Sequence, residues 1–303
     1  MPFVSQRIPI SGASRQHMSY GTELYPNILH YFRKTPASIV CPHFWELRWA
    51  YGCPFACAYC YLQGTFRGNK EPRYVPVGHV LIALEDAFKD ENLKPSIFNS
   101  GELADSLMSP PIMEKIADKF EGQTRHKLLL LTKSTNTTFL VKRPRMQTIV
   151  SFTINNAEVW KRWEQKTPPP EKRVEAARAA SDAGYEVRVR IDPIFPIDDW
   201  KVYYGNLLNF LLSRVWPERI TLGMPRGLAK TLMFSKDLSW AQGMTEKSGW
   251  GKKFPEPLRK EVYSFFLTKL ADFGFDRGKI ALCKETVTLS RELNMGRRCN
   301  CVW

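Results

Sequence analysis

Three cysteines stand close together in Cys53-Pro54-Phe55-Ala56-Cys57-Ala58-Tyr59-Cys60, a C-x3-C-x2-C spacing with an aromatic residue just before the last cysteine. Three thiolates on one short loop can hold three irons of a [4Fe-4S] cubane and leave the fourth iron open. An open iron can bind and reduce a small molecule, whereas a fully capped cluster mostly carries electrons. The competing readings are a structural zinc site and three unrelated buried thiols. Structural zinc usually takes four ligands in two pairs, and the loop holds one C-x2-C pair. The 5 histidines form no H-x-x-x-H or H-E-x-x-H pattern, so a zinc hydrolase has no support, and Gly-rich phosphate loops are missing.

The elements around this loop alternate between strand and helix. Phe44 to Ala50 alternates apolar and polar residues and predicts a strand that runs into the cysteines. Helical periods follow over 77–90, 112–120 (after two prolines), 170–183 (closed by Gly184), 206–213 and 258–273. Strands are predicted over 96–99, 127–132, 148–154, 186–191, 219–223 and 279–283. In the strand 186–191, Val187, Val189 and Ile191 face one side, while Arg188, Arg190 and Asp192 face the other. A central strand with a polar face usually lines a cavity. Residues 1–40 read as an irregular extension or cap, and 225–255 as a long loop or insertion.

Such βα alternation implies a parallel sheet with right-handed crossovers. The expected fold is α/β, a partial (β/α)6 barrel of TIM type. An N-terminal extension covers 1–40, the barrel core 41–224, and a C-terminal region with a cysteine-containing tail 225–303. Chemistry then belongs at the C-terminal strand ends, where the cysteine loop falls.

Composition narrows the setting. The 303 residues carry 44 Lys and Arg against 30 Asp and Glu, a formal charge of +14. Such an excess favours a polyanionic partner through phosphate contacts; a merely soluble basic surface is the plainer alternative. The 7 cysteines are an odd count with three clustered, which argues against a secreted disulfide framework. No apolar run is long enough for a transmembrane helix, and Met1 to Arg7 lacks a signal-peptide core. A reduced cytoplasmic setting is expected.

The cysteine motif resembles that of the radical S-adenosylmethionine (SAM) enzymes, and further motifs resemble the spore photoproduct lyase branch. They are Tyr59-Cys60-Tyr61-Leu62, Thr132-Lys133, Thr153-Ile154-Asn155, Ala183-Gly184-Tyr185, and Asp192-Pro193-Ile194-Phe195 with Trp200 shortly after. They cover 44–200 in order, and beyond Gly223 the resemblance fades. It implies a [4Fe-4S] cluster on Cys53, Cys57 and Cys60 whose electron cleaves SAM to a 5′-deoxyadenosyl radical. It also implies SAM contacts from Tyr59, Gly101, Glu102, Lys133, Thr153, Asn155 and Asp192, and a tyrosine relay at Tyr61. A reducing donor such as flavodoxin or ferredoxin would supply the electron. The branch carries a hydrogen-donating cysteine after the second strand, and Ser96 to Leu103 holds none.

Cys41, Cys283, Cys299 and Cys301 remain. Four thiols match the number needed for a second iron–sulfur cluster. A redox pair, a hydrogen donor and plain packing are the other readings. Trp160, Trp163 and Trp240, with basic neighbours, are candidates for stacking on bases or for core packing. The expected function is a lyase-type radical SAM enzyme on a nucleic-acid base, with DNA favoured over RNA. A peptide or small-molecule substrate is the second hypothesis, and a non-catalytic iron–sulfur protein the third.

Overall fold

The computed structural model describes residues 19–296 and 298–303. Its main sheet carries the parallel strands Phe44–Leu47, Ile97–Asn99, Lys127–Thr132, Thr148–Thr153, Glu186–Ile191, Arg219–Leu222 and Ile280–Leu282, hydrogen-bonded in that order. Neighbours in sequence are neighbours in space, so each connection crosses over in the same sense and puts the helices on one face. Among the described residues the order runs edge to edge without closing, as in a partial barrel.

Of the irregular extension or cap expected over 1–40, residues 1–18 lie outside the described residues, and 19–40 form short strands. Leu29–Phe32 pairs antiparallel with Phe44–Leu47, and Ser19–Tyr20 pairs with it in turn, so the segment extends the sheet at its first edge. Ile39–Val40 pairs with Glu285–Thr286. These strands are two to four residues long. That is too short for an alternation to be seen against the background of Ser, Gly and Pro.

The helices start and stop for local reasons. Pro110–Phe120 and Pro170–Asp182 begin on proline, whose fixed φ suits the first turn. Pro170–Asp182 ends before Gly184, which sits at φ +90, where a side chain would be strained. The helix Trp200–Leu212 starts six residues before the expected bound of 206.

The two faces of Glu186–Ile191 separate as the alternation predicts. Val187, Val189 and Ile191 join the main hydrophobic core with Val174, Ala177, Leu208 and Leu211 of the covering helices. Arg188 instead donates to the carbonyls of Asn300 and Val302, both at 2.8 Å. Asn300 reaches Ser151 Oγ (2.9 Å), Val189 O (2.9 Å) and Thr221 Oγ1 (2.7 Å). The segment Cys299–Trp303 therefore lies against the polar face of the sheet and supplies partners to Arg188, Ser151 and Thr221.

Residues 225–255, expected as a loop, contain the helix Ala229–Phe234 and the hairpin Glu246–Ser248 with Gly251–Lys253. Elements this short show no sustained period. The helix Glu256–Asp272 then leads to Ile280–Leu282. Among the described residues no helix is long and apolar enough to cross a membrane.

Candidate active site

The cysteine loop is tied at both ends. Trp49, fully buried, donates from its indole to Ser100 O at 2.9 Å. Gly52 N–H donates to Leu103 O (2.9 Å) and Cys53 N–H to Lys70 O (2.8 Å). Beyond the loop the short helix Leu62–Thr65 begins, and the Gln63 side-chain amide reaches back, donating from Nε2 to the carbonyls of Cys57 (3.3 Å) and Ala58. These bonds give Cys53, Cys57 and Cys60 a common orientation, and all three line one cavity of about 310 Å³.

The donor set fits a cubane. Burial, helped by Asp105, pushes the Cys53 thiol up. Burial and Glu164 push Cys57 up to about 12. Thiolates there call for a bound cationic centre. Among the described residues no three His, Cys, Asp or Glu side chains converge on a single-ion site. A cubane does not need them to, since each thiolate takes a different iron.

Around the loop stand the ends of the other parallel strands. Gly101 and Glu102 follow Ile97–Asn99, Lys133 follows Lys127–Thr132, and Thr153 closes Thr148–Thr153; Asp192 follows Glu186–Ile191, and all five line the cavity with Tyr59 and Tyr61. Gly101 is required by close approach: a Cβ there would sit 2.5 Å from Leu131 Cβ and 2.7 Å from Leu131 O. Asp105 is buried and rivets two strand ends together, accepting from Thr132 Oγ1 and Lys133 N–H, each at 2.7 Å.

Tyr59 and Tyr61 flank Cys60 and turn to different partners. The Tyr59 hydroxyl donates to the Glu164 carboxylate. Glu164 is fully buried, with Arg173 Nη1 at 2.7 Å and Lys133 Nζ at 3.7 Å. The Arg173 contact is a close ion pair whose N–H is not aligned for a strict hydrogen bond, which leaves that oxygen otherwise unpartnered. Burial alone would raise the Glu164 carboxyl, but Lys133 and Arg173 outweigh it and hold the group down at about 2. The Tyr61 hydroxyl donates to the Glu102 carbonyl, and Glu102 accepts from Asn99 Nδ2 at 3.0 Å. Burial, then Glu102, holds the Tyr61 phenol well above its ordinary range.

Asp192 meets Arg226 Nη2 at 3.1 and 3.3 Å, with Arg190 Nη1 at 3.8 Å. Burial works against the carboxylate, but the two guanidiniums win and lower its pKa. Asn155 stands apart from the other expected contacts. It is buried outside the cavity lining, donates to Pro193 O (2.8 Å) and accepts from the Tyr204 hydroxyl (3.0 Å). Its amide fixes the turn after Asp192.

The four remaining cysteines gather around a small cavity of about 10 Å³ beside Glu102, Arg190 and Lys284. That is room for about one water, too little for a second cubane as these side chains stand. Cys301 accepts from Arg190 Nη2 at 2.8 Å. A hydrogen bond with Cys299, and then Arg190, bring Cys301 down to about 7, while the same bond and burial push Cys299 up. Cys283 reaches both cavities, its thiol raised by burial to about 12. The three tryptophans marked for stacking are engaged in packing. Trp163 and Trp240 are buried, and the indoles of Trp160 and Trp163 donate to Thr167 O (2.9 Å) and Ser239 Oγ (2.8 Å).

Several groups escape a reading of the sequence. Glu164, Asp105, Arg226, Lys284 and Trp250 carry no local motif. Arg226, Trp250 and Lys284 reach the cavity from beyond the segment where ordered motifs were legible.

The sequence profile described as spore photoproduct lyase matches residues 43–224, more than half of the 303. The chain belongs to the spore photoproduct lyase family. A curated relative, spore photoproduct lyase of Clostridium acetobutylicum, is 27% identical over 172 residues, which are 52% of this chain and 48% of that protein. This family member spans about half the length of the curated relatives it matches. Spore photoproduct lyase complexed with dinucleoside spore photoproduct superposes with a TM-score of 0.67 at 20% identity, covering 78% of this chain and 75% of that one. A double mutant with bound AdoMet and dinucleoside spore photoproduct gives 0.66 at 19% identity, covering 80% and 76%. Both share the fold.

Proposed function

We propose that this chain is a radical SAM enzyme of lyase type that acts on a nucleic-acid base, with DNA favoured over RNA. One observation carries the reading: the three thiols of the cysteine loop and the polar groups of the neighbouring strand ends face a single cavity. When bound by Cys53, Cys57 and Cys60, a [4Fe-4S] cluster supplies the electron that cleaves SAM to a 5′-deoxyadenosyl radical.

The chain's own side chains hold, orient and exclude water. Glu102 offers a carboxylate for the SAM amino group, and Lys133 an ammonium for its carboxylate. Gly101 lets the backbone come close. Tyr59 and Thr153 close the wall beside the methionyl and ribose parts. Asp192, oriented by Arg226, is the acceptor for a ribose hydroxyl. Asn155 acts one step back, on the turn that places Asp192. Tyr61 keeps its O–H, the form able to pass a hydrogen atom. The apolar lining from Phe32, Phe44, Phe55 and Trp250 keeps out water that would quench a radical.

The formal charge of +14 supports a polyanionic substrate, and the relative whose structure holds a dinucleoside spore photoproduct supports a nucleic-acid one. A flavodoxin or ferredoxin is the matching class of electron donor. The segment Ser96 to Leu103 holds no cysteine, so either another residue returns the hydrogen atom or the reaction differs from that of the spore enzyme.

The test is anaerobic reconstitution with iron and sulfide, reduction, addition of SAM, and measurement of 5′-deoxyadenosine with and without UV-irradiated DNA. Product that rises with irradiated DNA supports the lyase. Product indifferent to DNA keeps SAM cleavage and moves the substrate to a peptide or small molecule. No product from an intact cluster leaves a non-catalytic iron–sulfur protein.

A further inference from the structure

Lys284 follows the last parallel strand, Ile280–Leu282, at the end where Cys283 reaches the cavity. Its backbone lies at φ +53, a conformation that a residue with a side chain keeps only when its surroundings hold it there. Both neighbouring groups are held. The Lys284 N–H donates to Val40 O at 3.1 Å, and its carbonyl accepts from the buried Lys253 Nζ at 2.8 Å. The side chain is thereby aimed into the cavity of the cysteine loop.

Its ammonium lies 5.9 Å from the centre of the Tyr61 ring and 5.1 Å from that of Trp250. Lys133 takes the matching place on the other tyrosine, 5.7 Å from the Tyr59 ring centre. Two ammonium groups thus stand over the two tyrosines that flank Cys60. Their charge balance differs. Lys133 has Glu164 at 3.7 Å, whereas Lys284 makes no ion pair and its ammonium no hydrogen bond among the described residues. Two other cations nearby are taken up, Arg226 by Asp192 and Arg190 by Cys301 and Asp192. Burial works against the Lys284 charge, but Glu102, Cys283 and Cys41 together outweigh it and keep the group an ammonium.

A cation partly removed from water, with three donors and no acceptor, is costly unless an anion completes it. Aromatic faces recover part of that cost but accept no directed hydrogen bond. We infer that Lys284 is an anion-binding residue of this cavity, taking an anionic oxygen group of a bound ligand, with Trp250 as the wall against which a flat ring stacks. The inference rests on the proposed function, which supplies two such groups: the phosphodiester of the nucleic-acid substrate and the carboxylate of SAM.

The experiment uses reconstituted protein without reductant, so that binding is read and turnover is not. Equilibrium binding is measured for two ligand pairs, SAM against decarboxylated SAM and the dinucleotide TpT against its uncharged methylphosphonate. The proteins are wild type, Lys284→Gln and Lys284→Arg. Wild type is expected to favour the charged member of one pair by about tenfold or more, the size of one hydrogen bond to a charged group. Lys284→Gln loses that preference, and Lys284→Arg, which carries the same backbone strain, keeps it. Loss in the TpT pair identifies the substrate phosphate, and loss in the SAM pair identifies the carboxylate. Wild type and Lys284→Gln with the same preference in both pairs, or wild type with none, overturns the inference alone. Wild type that binds neither SAM nor TpT overturns the proposed function with it.

Discussion

The Glu164 carboxylate and the Arg173 guanidinium meet at 2.7 Å with both side chains fully buried, directly behind Tyr59. Arg173 comes from the helix Pro170–Asp182 and also donates to Thr153 O at 3.2 Å, so the pair joins that helix to the floor of the cavity. Removing one member of a buried pair strands the other, at a cost of about 3–5 kcal/mol. Glu164→Gln should therefore lower stability by that order in urea melts. Replacing both residues by apolar ones of similar volume should cost less.

The same carboxyl predicts a pH window. Its folded pKa is about 2, against an ordinary 4.5, so the folded state binds fewer protons between these values. The contribution is fully present above pH 4.5 and is lost as pH falls through 2. The difference corresponds to roughly 3 kcal/mol at most. Urea melts at pH values from 6 downward should show wild type losing stability in this window with a steeper slope than Glu164→Gln. Parallel slopes would remove Glu164 as the titrating group.

Metal content separates the two sets of cysteines. Single Ala substitutions at Cys53, Cys57 or Cys60 should each cut bound iron and sulfide sharply and bleach the visible absorption, with the helical circular dichroism kept. Ser at Cys41, Cys283, Cys299 or Cys301 should leave iron at one cubane per chain, because their cavity of about 10 Å³ has no space for another. Iron that falls with the second set would place a cluster there.

Much of this arrangement was legible in the chain. The cysteine loop, the strand that feeds it and the polar face of Arg188, Arg190 and Asp192 could all be read from spacing and alternation, since each depends on residues near in sequence. Asn155 shows the limit. It belongs to a readable strand-end motif, yet its amide turns to Pro193 O and the Tyr204 hydroxyl and away from the cavity. Glu164, Arg226, Trp250 and Lys284 were silent because nothing local marks them; only the path of the chain brings them to the loop. The edge strands of 19–40 were too short to carry a period.

Lys133 depends on a buried clamp that can be tested apart from the lysine itself. Asp105 accepts from the Lys133 N–H and from Thr132 Oγ1, both at 2.7 Å, and from Leu107 N–H at 2.9 Å. Asp105→Asn keeps the size but turns one acceptor into an N–H₂ that faces donors. A lost charged acceptor and a stranded N–H together cost about 1–3 kcal/mol. If the clamp positions Lys133, the variant should also bind SAM several-fold more weakly at a temperature where it remains folded. Lys133→Ala should weaken SAM binding by a comparable or larger factor, and the double variant should fall short of the product of the two effects. Full multiplication in the double variant would mean that Asp105 stabilises the strand ends without placing the lysine.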